Sequence, residues 1–482
     1  MPSPTLRVNQ RFIAFFLALF LILSQARATY ASELKLRLAT FQVDATPEVG
    51  SPLAYDPMVK VSDRLSCKGI VLLPADQQPI VLCTVDWIGI GNSSNAKFCK
   101  TIAEAAETSA DRVVVHTLHQ HDAPRCDHSA IELLAPYKIS DKHYDLPFID
   151  QTIKRAASAV KESLSSAQAV DNIQFGEAEV RDVASNRRML DSSGRVAVTR
   201  YTACKSEEIR NLPVGVIDPL LRLLSFEGTD GPLACMTFYA THPQSYYRVG
   251  AATPDFPGLA RDAQEKATGV FHVHFNGAGG NIGAGKYNDG SHENRAVLAD
   301  RVQAGMSAAW AAREPSPASQ ISWDQLALSL PVSEAIDLVE LNSTIRDEEA
   351  ATSARCHAAE KLAFALRMQA GETVPVSRLA FGECMMMFMP GELFVEYQLA
   401  AQAMRPDTNV MMAAYGDYGT QYIGTRVAYP QGGYEVSPSA TNVSPAVERV
   451  LLDAMEKLLR PSVSGITASD FTDRTGPGLP PK

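Results

Sequence analysis

The chain has 482 residues, 46% of them hydrophobic and 20% charged, and a formal net charge of −10. That composition is ordinary for a globular protein with a sizeable core, and the length allows two or three domains or one large catalytic domain with insertions. No concentrated cluster of Lys and Arg occurs, so a phosphate-tracking nucleic-acid surface is not expected.

Residues 1–31 read as a secretory signal peptide. Arg7 and Arg11 precede the apolar run Phe12–Leu23, and Ala26-Arg27-Ala28 and Tyr30-Ala31-Ser32 offer small-residue cleavage points. The run is shorter than the roughly 17–25 residues of a membrane span. No later stretch is long and apolar enough, so no transmembrane anchor is expected after signal removal, and the mature protein is expected to be secreted or periplasmic. The eight cysteines are widely spaced and even in number, which permits disulfides in an exported chain without fixing a pairing. Cys83, Cys235 and Cys384 lie in apolar runs and suit plain buried thiols.

From residue 33 to 462 strand-like and helix-like segments alternate. Strands are predicted around Val81–Thr84, Asp111–His116, Pro232–Tyr239, Phe271–Phe275 and Cys384–Met389. Helices are predicted over Asn95–Glu107, Asp150–Ser165, Asn294–Ala312, Glu392–Met404 and Pro445–Leu459, with Glu334–Ala370 as a long helical excursion. This pattern predicts an α/β fold: a single large catalytic domain whose mixed, largely buried sheet is flanked by helices. The Ser-, Thr-, Gly- and Pro-rich residues 463–482 are expected to form a flexible tail.

Polar residues of interest follow the apolar runs, as they do where ligands collect at the carboxyl ends of strands. Three of the ten histidines lie in His116-Thr-Leu-His119-Gln120-His121. Two imidazoles one residue apart in extended chain face the same side, which suits one ring as a metal ligand and the other beside it for acid–base work. His242 follows Met236–Ala240, and Glu392 follows Met385–Pro390. Taken alone, Glu392 also fits a carboxylate at a helix N-terminus. Tyr422 and Tyr434 sit in an aromatic, glycine-rich loop. The segment Asn276–Lys286 holds five glycines but lacks the order of a phosphate loop, since Tyr287 follows Lys286. It reads instead as a backbone nest for an oxyanion or as a plain turn.

These pieces, in this order, resemble the neutral (non-lysosomal) ceramidase family over roughly Leu36–Val450, its N-terminal catalytic domain. Val43–Gly50 resembles the family's opening Asp-x-Thr turn, and Thr117–Pro124 resembles its HTHSGP segment with both histidines kept. Ala240–Pro243, Pro390–Glu392, Gln421-Tyr422 and Tyr434-Glu435 resemble its remaining metal-site segments, and Asn186-Arg187 resembles a family Asn-Arg pair. The resemblance implies one zinc ion per chain held by His119, His242, Glu392 and Tyr434. It places His121 and Tyr422 beside the metal and Arg187 on the active-site wall. Gly280, Asn281 and Gly283 fall on the family's substrate loop, with Gly283 where the family has a serine, so a serine nucleophile is not available at that point. The expected function is zinc-dependent hydrolysis of the amide bond of ceramide or a related N-acyl lipid by zinc-activated water. His121 is the expected general base or acid. Tyr422, Arg187 and the amides around Gly280–Gly283 are the expected oxyanion donors. A zinc hydrolase for an unrelated ester, amide or phosphate, or a non-catalytic binding protein on the same scaffold, are the alternatives.

Overall fold

The computed structural model describes residues 34–318, 320–460 and 465–472. The expected signal peptide and most of the expected tail lie outside the described residues. Among the described residues no helix is long and apolar enough to cross a membrane.

Three mixed sheets form the scaffold. In the first, the edge strand Val113–Thr117 is followed across the sheet by Ile80–Val85, Ser66–Pro74, Leu36–Asp44 and Gln168–Val170. The second runs Phe271–Asn276, Gly231–Tyr239, Leu220–Gly228, Asn172–Glu179 and Glu314–Ser316. The third runs Ile321–Leu328, Val374–Phe381, Cys384–Phe388 and Asn409–Ala413. Each sheet is antiparallel except for one parallel pair at an edge: Ile80–Val85 with Val113–Thr117, Gly231–Tyr239 with Phe271–Asn276, and Cys384–Phe388 with Asn409–Ala413. Parallel neighbours need a crossover, usually a helix. Helices Ser93–Ala105, Asp255–Thr268 and Val395–Met404 lie in these three crossovers.

The three parallel edges meet. Thr117 N–H donates to the Tyr415 carbonyl at 3.0 Å, and Ala414 N–H donates to the Asn276 carbonyl at 2.9 Å. The Asn276 side-chain amide donates to the Leu118 carbonyl. Apolar residues from all three sheets, including Leu82, Phe226, Phe238, Phe275, Phe381 and Phe388, share one buried cluster. Three further clusters join the sheets to the surrounding helices. The α/β expectation holds, as several mixed sheets rather than one.

The predicted strands match strands of the structure to within one or two residues, and five of the helices are recovered with shifted ends. The long excursion is corrected: it is two helices, Leu338–Arg346 and Thr352–Gln369. The break falls at Asp347-Glu348-Glu349, where three carboxylates oppose the helix dipole at its C-terminus. Helix-favouring Glu and Ala residues fill the break, which is why the sequence reads as one helix. Residues 465–472 of the expected tail include the turn Ala468–Phe471, held by Ser469 hydroxyl bonds to Glu448 at 2.8 Å. All eight cysteines are buried free thiols.

Candidate metal centre

The strand Val113–Thr117 delivers His119 into the place where the three edges meet. Leu118 and His119 N–H groups donate to the carbonyls of Val85 and Trp87 at 3.0 and 2.9 Å. His119 then adopts φ of 62°, a left-handed backbone that costs a non-glycine residue of order 1–3 kcal/mol and tends to mark functional sites. Its Nδ1 lies 2.6 Å from the Ile88 carbonyl. That contact places the ring proton on Nδ1 and leaves the Nε2 lone pair free. The Tyr415 ring stacks on the imidazole with centroids 4.6 Å apart.

His119 Nε2 faces Glu392 Oε2 at 3.2 Å, and His242 Nδ1 lies 3.6 Å from the same oxygen. His121 Nε2 is 3.0 Å from His242 Nε2. Ligand atoms of His119, His121 and His242 all lie within 4.8 Å of one another. His121, expected beside the metal, is therefore grouped as closely as the two expected histidine ligands. Glu392 Oε1 accepts from the Tyr418 hydroxyl at 2.8 Å. Burial pushes the Glu392 carboxyl up, but the neighbouring His119 and the Tyr418 hydroxyl help to outweigh it and the group is held below its usual range. Burial, and then the neighbouring His119, hold His121 and His242 well below the usual histidine value.

His119 Nε2, His121 Nδ1, His242 Nδ1 and Glu392 Oε2 are all buried with no hydrogen-bond partner. Orphaned buried polar atoms are costly and uncommon. Imidazole nitrogens with a carboxylate are a donor set suited to zinc. The residues present thus fit a divalent transition-metal ion.

This cluster lies in the wall of a cavity of about 290 Å³, which Arg187, Tyr422 and Tyr434 also line. Arg187 NH1 donates to the Tyr422 hydroxyl at 3.2 Å, and its Nε faces Glu435 at 3.4 Å. Burial and the Glu392 charge keep the Tyr422 phenol well above its ordinary range. Tyr434 is 42% exposed, with its ring 5.7 Å from that of Tyr422.

Gly280, Asn281 and Gly283, expected on a substrate loop, are buried behind the cluster. None of the three lines the cavity. Gly280 N–H is committed to the Leu393 carbonyl at 2.9 Å and Ile282 N–H to Gly279 at 3.1 Å, so neither is free for an oxyanion. Asn281 instead braces the helix Val395–Met404: its Oδ1 accepts from Val395 N–H at 2.9 Å and its amide donates to both Glu396 oxygens. A Cβ at Gly280 would lie 2.3 Å from the Glu392 carbonyl oxygen. Gly280 is required because backbone packs directly behind the cluster.

Tyr418, Tyr55, Arg125 and His357 also line the cavity and were not singled out in the sequence. Tyr418 had a signal, since it shares the aromatic loop with Tyr422. Arg125 and His357 had none, being single residues in a two-residue strand and a helix.

Solved structures similar to this chain include ceramidases. A ceramidase complexed with C2 superposes with a TM-score of 0.64 at 14% identity, covering 90% of this chain and 77% of that one. The neutral ceramidase from Pseudomonas aeruginosa gives a TM-score of 0.65 at 17% identity, covering 93% and 79%. The fold is that of the neutral ceramidases. At such identities the likeness carries the neutral ceramidase fold and not its chemistry. No protein-family model matches the chain, and no curated protein matches it by sequence.

Proposed function

We propose that the chain is an exported, zinc-dependent amidohydrolase on the neutral ceramidase scaffold, acting on the amide of ceramide or a related N-acyl lipid. In this proposal His119, His242, Glu392 and Tyr434 hold one ion. The observation that carries it is the convergence of His119, His242 and Glu392 in one cavity wall, each with a buried, unpartnered ligand atom. A zinc ion bound there polarises a carbonyl and lowers the pKa of water.

The protein's own groups carry the remaining tasks. His121 lies beside His242 with its ring stacked near Tyr55, a position from which it takes the proton of an attacking water and returns one to the leaving amine. Tyr422 offers a hydroxyl donor to a developing oxyanion. Arg187, bonded to that hydroxyl oxygen, strengthens the donor and places positive charge behind it. Tyr418 fixes the Glu392 carboxylate by bonding the oxygen that does not face the histidines.

The deciding experiment is fatty-acid release from N-acyl sphingoid bases and other N-acyl amides. Activity is expected to vanish on chelation and return with zinc. Failure to cleave any amide would remove this proposal.

A further inference from the structure

The mouth of the cavity carries side chains that folding normally buries. Val59, Val61, Tyr247 and Val249 are exposed there, with Val49 beside them. Hydrogen bonds tie these residues into one surface. Val59 N–H donates to the Gly250 carbonyl at 2.8 Å, and Gly50 N–H donates to the Met58 carbonyl at 2.7 Å. The strand Lys60–Val61 pairs in parallel with Ala251–Ala252. Tyr247 lines the cavity and meets the Tyr55 ring with centroids 5.0 Å apart, so the surface runs directly into the cavity. Tyr201 and Tyr434, also exposed, line the same cavity with ring centroids 6.1 Å apart. Single exposed apolar residues are ordinary, whereas a contiguous patch marks an interaction surface.

The cavity says what covers this patch. Its volume of about 290 Å³ lies at the low end of the roughly 300–1,000 Å³ typical of small-molecule pockets. Ala440 is the one aliphatic side chain among its described lining residues. The walls suit an amide and its polar neighbours, and they offer no apolar bed for long alkyl chains. An N-acyl lipid whose amide enters here keeps its chains in an apolar phase outside, because each methylene moved into water weakens the equilibrium about fourfold. The apolar rim then lies against that phase. The chain as a whole carries a net charge of −10, yet the charged residues within 59–61 and 247–249 are Lys60 and Arg248, both exposed. Their long apolar stems carry the cations to headgroup phosphates, and tyrosine suits the same level with its apolar ring and polar tip.

We propose that this rim docks on a phospholipid bilayer, and that the cavity takes the amide of an N-acyl lipid whose alkyl chains remain in that bilayer. This rests on the amidohydrolase proposal and states how its substrate is presented.

The test is co-sedimentation of the full-length protein with phosphatidylcholine vesicles, each variant being checked for a native circular-dichroism spectrum. The parent should partition to the vesicles. The double variant Val49→Glu, Val59→Glu should weaken that partition about tenfold or more. Val339→Glu, at a valine 80% exposed on the helix Leu338–Arg346, should leave it unchanged. The double variant should also keep its kcat/KM on a short-chain, water-soluble N-acyl amide and lose it on a long-chain N-acyl lipid held in vesicles. Failure of the parent to bind vesicles, or equal binding by the three proteins, would overturn the inference. So would equal loss of both activities in the double variant. Binding is read without turnover, so vesicle binding without amide cleavage would count against the amidohydrolase proposal alone.

Discussion

Gly280 and Gly283 belong to one loop and do different work. A methyl group at 280 would sit 2.3 Å from the backbone oxygen of Glu392, whereas at 283 its nearest neighbours are Arg187 methylenes at 3.4 Å. Gly280→Ala must move the backbone that carries Glu392, at a cost of about 1–3 kcal/mol, and should lower bound metal as well as Tm. Gly283→Ala should fold with Tm changed by no more than about 2 °C, since the added methyl meets its buried neighbours at ordinary contact distance. Thermal melts with metal analysis on both variants check this, and equal damage from the two would contradict it. Glu396 is a second residue with a defined signature. Burial raises its carboxyl to about 7 in spite of the Asn281 amide bonds, against an ordinary value of 4.5. Between those values the folded state keeps a proton that the unfolded chain has lost. Its contribution is therefore complete below the ordinary value and is lost as pH rises through about 7. Glu396→Gln should lose less Tm than the parent between about pH 5 and pH 8, and parallel Tm curves would refute the assignment. At this scale the sequence is legible where chemistry is dense. His119 and His121 stand out as a pair, whereas Arg125 and His357 acquire meaning only through the neighbours that folding gives them.

Among the elements, the helix Asp255–Thr268 holds the histidine-bearing turn in place through one buried ion pair. Arg261 NH1 and NH2 bond the two Asp86 oxygens at 2.7 and 3.0 Å. The same carboxylate accepts from Ser66 N–H and hydroxyl at 2.8 Å, and Gln120, between the two histidines, donates to the Asp86 carbonyl. Removing one partner of a buried pair strands the other charge. Arg261→Met should cost about 3–5 kcal/mol in urea denaturation, while the double variant Asp86→Asn, Arg261→Met should be less damaging than the sum of the singles. Strict additivity would show that the pair is not coupled. This helix begins Asp-Phe-Pro-Gly, a run with the chemistry of a turn, so its pattern is hard to read from sequence. The antiparallel strands Asn172–Glu179 and Val374–Phe381 are equally quiet, since polar residues interrupt their apolar runs. The strands that were legible, such as Ile80–Val85 and Cys384–Phe388, are buried along their whole length and read as continuous apolar segments.

For the molecule as a whole, the site exists because three sheets turn their parallel edges toward one another. Residues near position 119, 242, 276 and 415 come from four separate stretches, yet the hydrogen bonds Thr117–Tyr415 and Ala414–Asn276 stitch them together. The sequence placed polar groups at the ends of apolar strands. It could not say that three sheets rather than one carry them, because sheet order depends on crossovers between residues far apart in the chain. The most direct test is metal content per chain, by plasma mass spectrometry, of the parent and of His119→Ala, His242→Ala and Glu392→Ala, each checked for a native circular-dichroism spectrum. About one zinc ion per chain in the parent and near-complete loss in each folded variant is the predicted result. Metal content unchanged in the folded variants would contradict the assignment of the centre.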